Sequence, residues 1–256
     1  MNEKTANCTA LILAAGSGSR IANITTDPKC LLEVNNRSLL DWHLTHLESV
    51  GIRDIVLVVG YKADRIQERL KSRTHLNLKF IKNADFSRKG NGYSMFLGLQ
   101  GIDKDVLVLD ADLIYDAEVL KEFMGEDEKD QILIGKGSVD DVECAKTLVD
   151  ESGCIRKLID KRPLSAEELS RYEFAGEAIG IMKFSDCERK KLIASCGRFF
   201  SIRENLGLNW EHLMNFHLED NDVHPHFMDS NLWIEIDTPH DYKEARVMFE
   251  VMTERI

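Results

Sequence analysis

Three apolar stretches of this 256-residue chain each run into residues that could do chemistry. "VLVLDAD" delivers Asp110 and Asp112 at the end of a buried-strand pattern, and "WIEID" delivers Glu235 and Asp237 on one face of another. Carboxylates at such strand ends are costly unless paired or bound to a cation. A hard dication such as Mg²⁺ takes one or two of them together with phosphate oxygens, which makes Asp112 and Asp237 candidate metal ligands from distant strands. Each has a plainer alternative at a helix N-terminus, Asp237 ahead of Pro239 and Asp112 ahead of the helix that follows Asp116. The third stretch, "ALILA", is followed by Ala15-Gly16-Ser17-Gly18-Ser19, where backbone N–H groups could approach phosphate oxygens with almost no side chain in the way. It is neither G-x-G-x-x-G, since Ile21 stands where the third glycine would be, nor a P-loop, since G-K-[ST] is missing. Spacing alone leaves a tight strand-to-helix turn open. Arg20 and Lys29, the latter fixed beside Pro28, add a guanidinium fork and a point charge that suit phosphate.

These residues need a scaffold that brings strand ends to one rim. The first half alternates strand and helix patterns: strand Thr9–Ala14, helix Ser38–Val50 closed by Gly51, strand Asp54–Gly60, helix Asp64–Ser72, strand Leu78–Asn83, helix Tyr93–Leu99 and strand Asp105–Asp110. The second half places strand-like "CAKTLVD" and "CIRKLID" on either side of Glu151-Ser152-Gly153, which predicts a hairpin carrying Lys146 on one arm and Lys161 near the end of the other. Strand Glu177–Phe184, helices over 185–195 and 203–217, strand Asn231–Asp237 and a helix opening at Pro239 complete the pattern. The expected fold class is α/β: a Rossmann-like, doubly wound, mainly parallel sheet with an inserted antiparallel β-hairpin. A single domain is expected over 1–256, with the inserted region at about 140–230.

The bulk properties narrow the partners. A net charge of −11 argues against nucleic acid as a partner while leaving room for one locally basic pocket. No apolar run reaches the ~20 residues a membrane helix needs. The polar start, MNEKTANCTA, reads as no signal peptide, so no membrane association and a cytoplasmic location are expected. Six cysteines without a C-x-x-C pair read as reduced thiols, and His224-Pro-His226 as surface residues rather than ligands.

"LILAAGSGSR…DPKCLLEVNNRSLLDWHL" closely resembles the N-terminal signature L-A-A-G-x-G-x-R…P-K of nucleotidyltransferases that join a nucleoside triphosphate to a small phosphorylated acceptor. "VLVLDAD" and "WIEIDTPHDYKEA" resemble that family's two metal-binding strand ends, so the likeness extends from about residue 9 to 250. Within the family the chain resembles the cytidylyltransferase branch that acts on phosphonates, inositol phosphate or choline phosphate. The resemblance implies the nucleotidyltransferase fold, CTP and a small anionic acceptor as partners, Mg²⁺ as cofactor, and a possible homodimer. It assigns Leu13, Ala14, Ala15, Gly16, Ser17, Gly18, Ser19, Asn91, Gly92, Ser94 and Asp110 to the nucleotide. Lys29 and Arg20 would neutralise the triphosphate, Lys146 and Lys161 would clamp the acceptor's anionic head, and Asp112 and Asp237 would hold the metal. Glu177, Trp210, Glu211 and Tyr172, with Trp233 also available, could receive an ammonium at the acceptor's other end, although the tryptophans could equally be core. The expected acceptor is 2-aminoethylphosphonate or a related phosphonate. The alternatives are choline phosphate or inositol 1-phosphate, a sugar-phosphate uridylyl- or thymidylyltransferase, and a non-catalytic nucleotide sensor.

Overall fold

The computed structural model describes residues 7–228 and 233–253. Strand β1 (Cys8–Ala14) is buried along its whole length, because alternate residues enter different cores. Ala10, Ile12 and Ala14 face one apolar cluster and Leu11 and Leu13 the other. After it come the short hairpin β2 (Glu33–Val34) and β3 (Arg37–Ser38), helix α1 (Leu39–Ser49), β4 (Asp54–Val59), α2 (Ala63–Leu70), β5 (Asn77–Lys82), α3 (Asn91–Leu99) and β6 (Asp105–Asp110). Then follow β7 (Leu113–Tyr115), α4 (Ala117–Gly125), β8 (Gln131–Gly135), β9 (Lys146–Val149), β10 (Ile155–Ile159) and α5 (Ala166–Arg171). The chain continues through β11 (Glu173–Phe184), α6 (Asp186–Phe199), α7 (Trp210–His217), β12 (His224–Phe227), β13 (Trp233–Glu235) and α8 (Pro239–Thr253).

The main sheet has the order β10-β9-β11-β6-β1-β4-β5, with β8 pairing β11 and β12. Strands β6, β1, β4 and β5 run parallel, and β11 joins β6 antiparallel. Helices α1, α2 and α4 cover one face through Leu40, Leu44, Ile66 and Phe123. Helices α3, α6 and α7 cover the other through Met95, Leu192, Trp210 and Leu213. This is the expected doubly wound α/β fold. Ser38 caps α1 by accepting from the Asp41 N–H, and Gly51 leaves the helix in the left-handed region (φ 86).

The hairpin is present as β9 and β10, and it also extends the main sheet, because β9 pairs with the start of β11. The expected helix over 203–217 breaks: a 3₁₀ turn at Arg203–Gly207 precedes α7, whose first N–H, on Trp210, is bonded to the Asn91 side chain. Of the expected strand 231–237, Asn231 and Leu232 lie outside the described residues. Its described part, β13, pairs with β7 in a separate two-stranded sheet.

Candidate active site

The carboxyl ends of β1 and β6 and the residues at the end of β13 meet in one open cleft of about 290 Å³. Lys29 lies at its centre, and its ammonium is 2.7 Å from Asp112 Oδ2 and 2.6 Å from Asp237 Oδ1. Arg20 approaches Asp237 Oδ2 at 2.8 Å and Lys161 the same oxygen at 3.2 Å. Three cations therefore converge on one carboxylate. Burial would raise Asp237, but Lys29, Arg20 and Lys161 outweigh it and hold this carboxyl down at about 2. Burial likewise opposes the charge on Lys29, and Asp112 and Asp237 more than reverse that, keeping the amine above its ordinary range.

The glycine loop is arranged for close approach. Gly18 sits at φ 61, and a Cβ there would lie 3.0 Å from the Lys29 Cβ, so glycine satisfies both the backbone angle and the packing of the lysine stem. Gly16 has open space on its Cβ side. Behind the loop, the Ala15 carbonyl accepts from the Tyr61 N–H.

Two groups of carboxylates surround the basic trio. Asp112, Glu235 and Asp237 offer oxygens that all lie within 4.8 Å of one another. An all-oxygen, hard donor set of this kind fits Mg²⁺ or another divalent cation. Removal of water from its carboxyl group, with Asp112 and Asp237 alongside, pushes Glu235 well above the usual range. On the other side, Asp110 accepts from the Trp210 indole N–H at 2.9 Å. Burial first, then Asp112 and Glu211, raise its pKa. Gly180, at φ 76, makes room for it: a Cβ there would stand 2.6 Å from Asp110 Oδ2. Burial also pushes Glu211 up to about 8 and Glu177 to about 7, and Glu211 Oε2 is buried without a hydrogen-bond partner among the described residues. Seven acidic side chains thus line the cleft against three basic ones.

Of the expected residues, Leu13, Ala14, Gly16, Gly18, Ser19, Arg20, Lys29, Asn91, Asp110, Asp112, Lys161, Glu177, Trp210, Glu211 and Asp237 line the cleft together. Ala15, Ser17, Gly92 and Ser94 are not in the lining: Gly92 packs on the Leu208–Asn209 backbone, and Ser94 accepts from the Asn83 side chain. Tyr172 also stands outside it, near the Lys157 and Arg171 cations. Trp233 packs against Gly135 and the core. Lys146 does not face the cleft, because its ammonium is enclosed by backbone carbonyls. Glu143 lines the cleft without a sequence signal of its own. Glu235 shared a strand face with Asp237, and that period-2 relation was the signal for it.

A glycine loop and facing carboxylates beyond the carboxyl ends of a parallel sheet are the arrangement of an α/β nucleotide-handling fold. Residues 10–207 match the MobA-like NTP transferase domain, and the chain belongs to that family, in line with the nucleotidyltransferase resemblance of its signature. Its relatives include the CMP-5'-(3-aminopropyl)phosphonate synthase of Streptomyces rubellomurinus, 32% identical over 46% of this chain and 19% of that protein. The CTP:phosphoglutamine cytidylyltransferase of Campylobacter jejuni is 30% identical over 50% of this chain and 52% of that protein. The chain thus spans about half or less of the length of these two. The choline-phosphate cytidylyltransferase of Streptococcus pneumoniae is 24% identical over 92% of this chain and 95% of its own. Among solved structures, the CTP:phosphocholine cytidylyltransferase of S. pneumoniae superposes with a TM-score of 0.75, at 20% identity, over 95% of this chain and 99% of that one. The inositol-1-phosphate CTP transferase of T. maritima gives a TM-score of 0.74 at 22% identity, over 96% of each chain.

Proposed function

We propose that this chain transfers the cytidylyl group of CTP to a phosphonate or phosphate oxygen of a small acceptor that also carries an amino group, with release of pyrophosphate. The acceptor we favour is 2-aminoethylphosphonate or a close analogue. Family membership and the cytidylyltransferases among the relatives support the reaction class. The observation that carries the acceptor is Glu211. Its Oε2 is buried with no hydrogen-bond partner among the described residues, in a cleft where acidic groups outnumber basic ones, and an ammonium would satisfy that oxygen and draw the carboxyl into its ionised form.

In this reading an acceptor oxyanion attacks the α-phosphorus of CTP. A new P–O bond forms as the bond to the β-phosphate oxygen breaks, and pyrophosphate leaves with the electron pair. The attacking oxygen is already deprotonated near neutral pH, so no dedicated general base is required. Both reactants are anions, and neutralising their repulsion while holding them in line accounts for most of the catalysis. Leu13, Ala14, Gly16, Gly18 and Ser19 of the loop, with Arg20, hold the triphosphate, and Asn91 and Asp110 border the nucleoside side. Lys29 neutralises charge that develops at the reacting phosphate, and Lys161 faces the acceptor's anionic head. Asp112, Glu235 and Asp237 would hold the divalent cation. When bound, that ion screens phosphate charge and polarises phosphoryl oxygens.

Pyrophosphate release from CTP with Mg²⁺ tests this reading across 2-aminoethylphosphonate, phosphocholine, phosphonates lacking nitrogen and inositol 1-phosphate. Turnover is expected with an amine-bearing phosphonate. Turnover confined to the nitrogen-free acceptors would overturn the role given to Glu211, and preference for UTP or dTTP would overturn the choice of nucleotide.

A further inference from the structure

Lys146 stands at the start of β9, is fully buried, and is kept out of the cleft. Its ammonium donates to the carbonyl oxygens of Cys144 at 3.3 Å and Arg162 at 3.1 Å, and also to that of Asp141. A lysine ammonium has three donors and no acceptor, so three carbonyls satisfy it and permit burial of the charge. Two of these carbonyls belong to the segment that enters β9, and the third to the turn that leaves β10.

Each of these segments sends one charged side chain to the mouth of the cleft. Glu143 comes from the first and Lys161 from the second, with 4.0 Å between Lys161 Nζ and Glu143 Oε2. Lys161 has a left-handed backbone, φ 43, which a residue with a side chain holds when its surroundings impose it. The carbonyl gripped by Lys146 lies on the very next residue. We propose that Lys146 is a positioning residue: by tying two loops together through their backbones it sets Lys161 and Glu143 at the acceptor end of the cleft, without touching substrate itself. The kinetic part of this proposal rests on the cytidylyl-transfer reading above, and the structural part does not.

The test combines amide hydrogen exchange with steady-state kinetics on Lys146→Met, Lys161→Met and the double variant. In Lys146→Met, exchange should quicken roughly tenfold in residues 138–144 and at Lys161 and Arg162, and stay unchanged in β1, β4 and β6. The acceptor KM should rise about tenfold while the CTP KM stays within about twofold. On the Lys161→Met background, adding Lys146→Met should cost less than about twofold more, because the loss travels through Lys161. Should Lys146→Met fail to fold, Lys146→Gln keeps two N–H donors on a shorter stem and should show the same pattern in smaller measure. Unchanged exchange at Lys161 and Arg162 would overturn the proposal, as would quickening throughout the chain. Additive losses in the double variant would also overturn it, since they would mean that Lys146 meets the acceptor directly. A wild-type chain silent with every acceptor would refute cytidylyl transfer, and the exchange result would then decide the clamp alone.

Discussion

Replacing Lys29 by Met keeps most of the buried stem and removes the ammonium that lies between Asp112 and Asp237. The lysine side chain is 12% exposed, so its ion pairs are poorly screened by solvent. Asp237 would keep Arg20 and Lys161, but Asp112 would be left facing two other carboxylates whose oxygens come within 4.8 Å. Two like charges about 4 Å apart repel by ~1 kcal/mol in water and ~4 kcal/mol at an effective dielectric of about 20. For this half-open site we take about 2 kcal/mol of lost stability, which corresponds to a drop of about 4–8 °C in Tm. A divalent cation can answer the same repulsion, so Mg²⁺ or Mn²⁺ without nucleotide should raise the Tm of the variant by more than that of the wild type. Turnover should fall by a factor on the order of 10²–10³. Thermal melts followed by circular dichroism, with and without each ion, give the first two quantities, and pyrophosphate release gives the third. A variant that melts with the wild type, gains no more from the ion and keeps its turnover would refute the reasoning.

Three further outcomes follow from buried groups. Burial places Glu177 at about 7, so it is largely protonated below that pH and ionised above it; affinity for an amine-bearing acceptor should strengthen as pH rises through about 7, and Glu177→Gln should flatten that profile in KM. Burial lowers His43 to about 3 and His46 to about 4, so the unfolded chain takes up protons near pH 6.5 that the folded chain refuses. Stability should therefore be lost as pH falls below about 6.5, on the order of 2 kcal/mol per histidine between pH 7 and pH 5, and urea melts of His43→Phe should show a shallower dependence. Gly180→Ala combines φ 76 with a Cβ placed 2.6 Å from Asp110 Oδ2, and should cost about 1–3 kcal/mol in denaturant melts.

Much of this was legible because it rests on short-range chemistry. The burial of Ala10–Ala14 on both faces and the Gly51 that closes the first helix follow from local residue types, and they mark the first strand and helix of the parallel half. Asp112 and Asp237 were legible for a related reason, since each follows an apolar strand. What sequence did not show are the relations made across the chain. The orientation of Lys146 depends on carbonyls up to sixteen residues away, and strand alternation alone cannot tell a cleft from a carbonyl cage. Tyr172 and Trp210 looked interchangeable as aromatic candidates. Only Trp210 reaches the cleft, because the break before α7 lets its N–H bond Asn91 and its indole bond Asp110. The pairing of β13 with β7, rather than with the main sheet, is likewise a long-range choice.

The most direct test of cytidylyl transfer is ³¹P NMR of the reaction of CTP, Mg²⁺ and 2-aminoethylphosphonate with the purified chain. Two mutually coupled phosphorus resonances of a CMP–phosphonate anhydride, appearing together with pyrophosphate, are the predicted result. CTP that remains intact with every phosphonate and phosphate acceptor, or a UMP–phosphonate anhydride formed faster from UTP, would contradict the account.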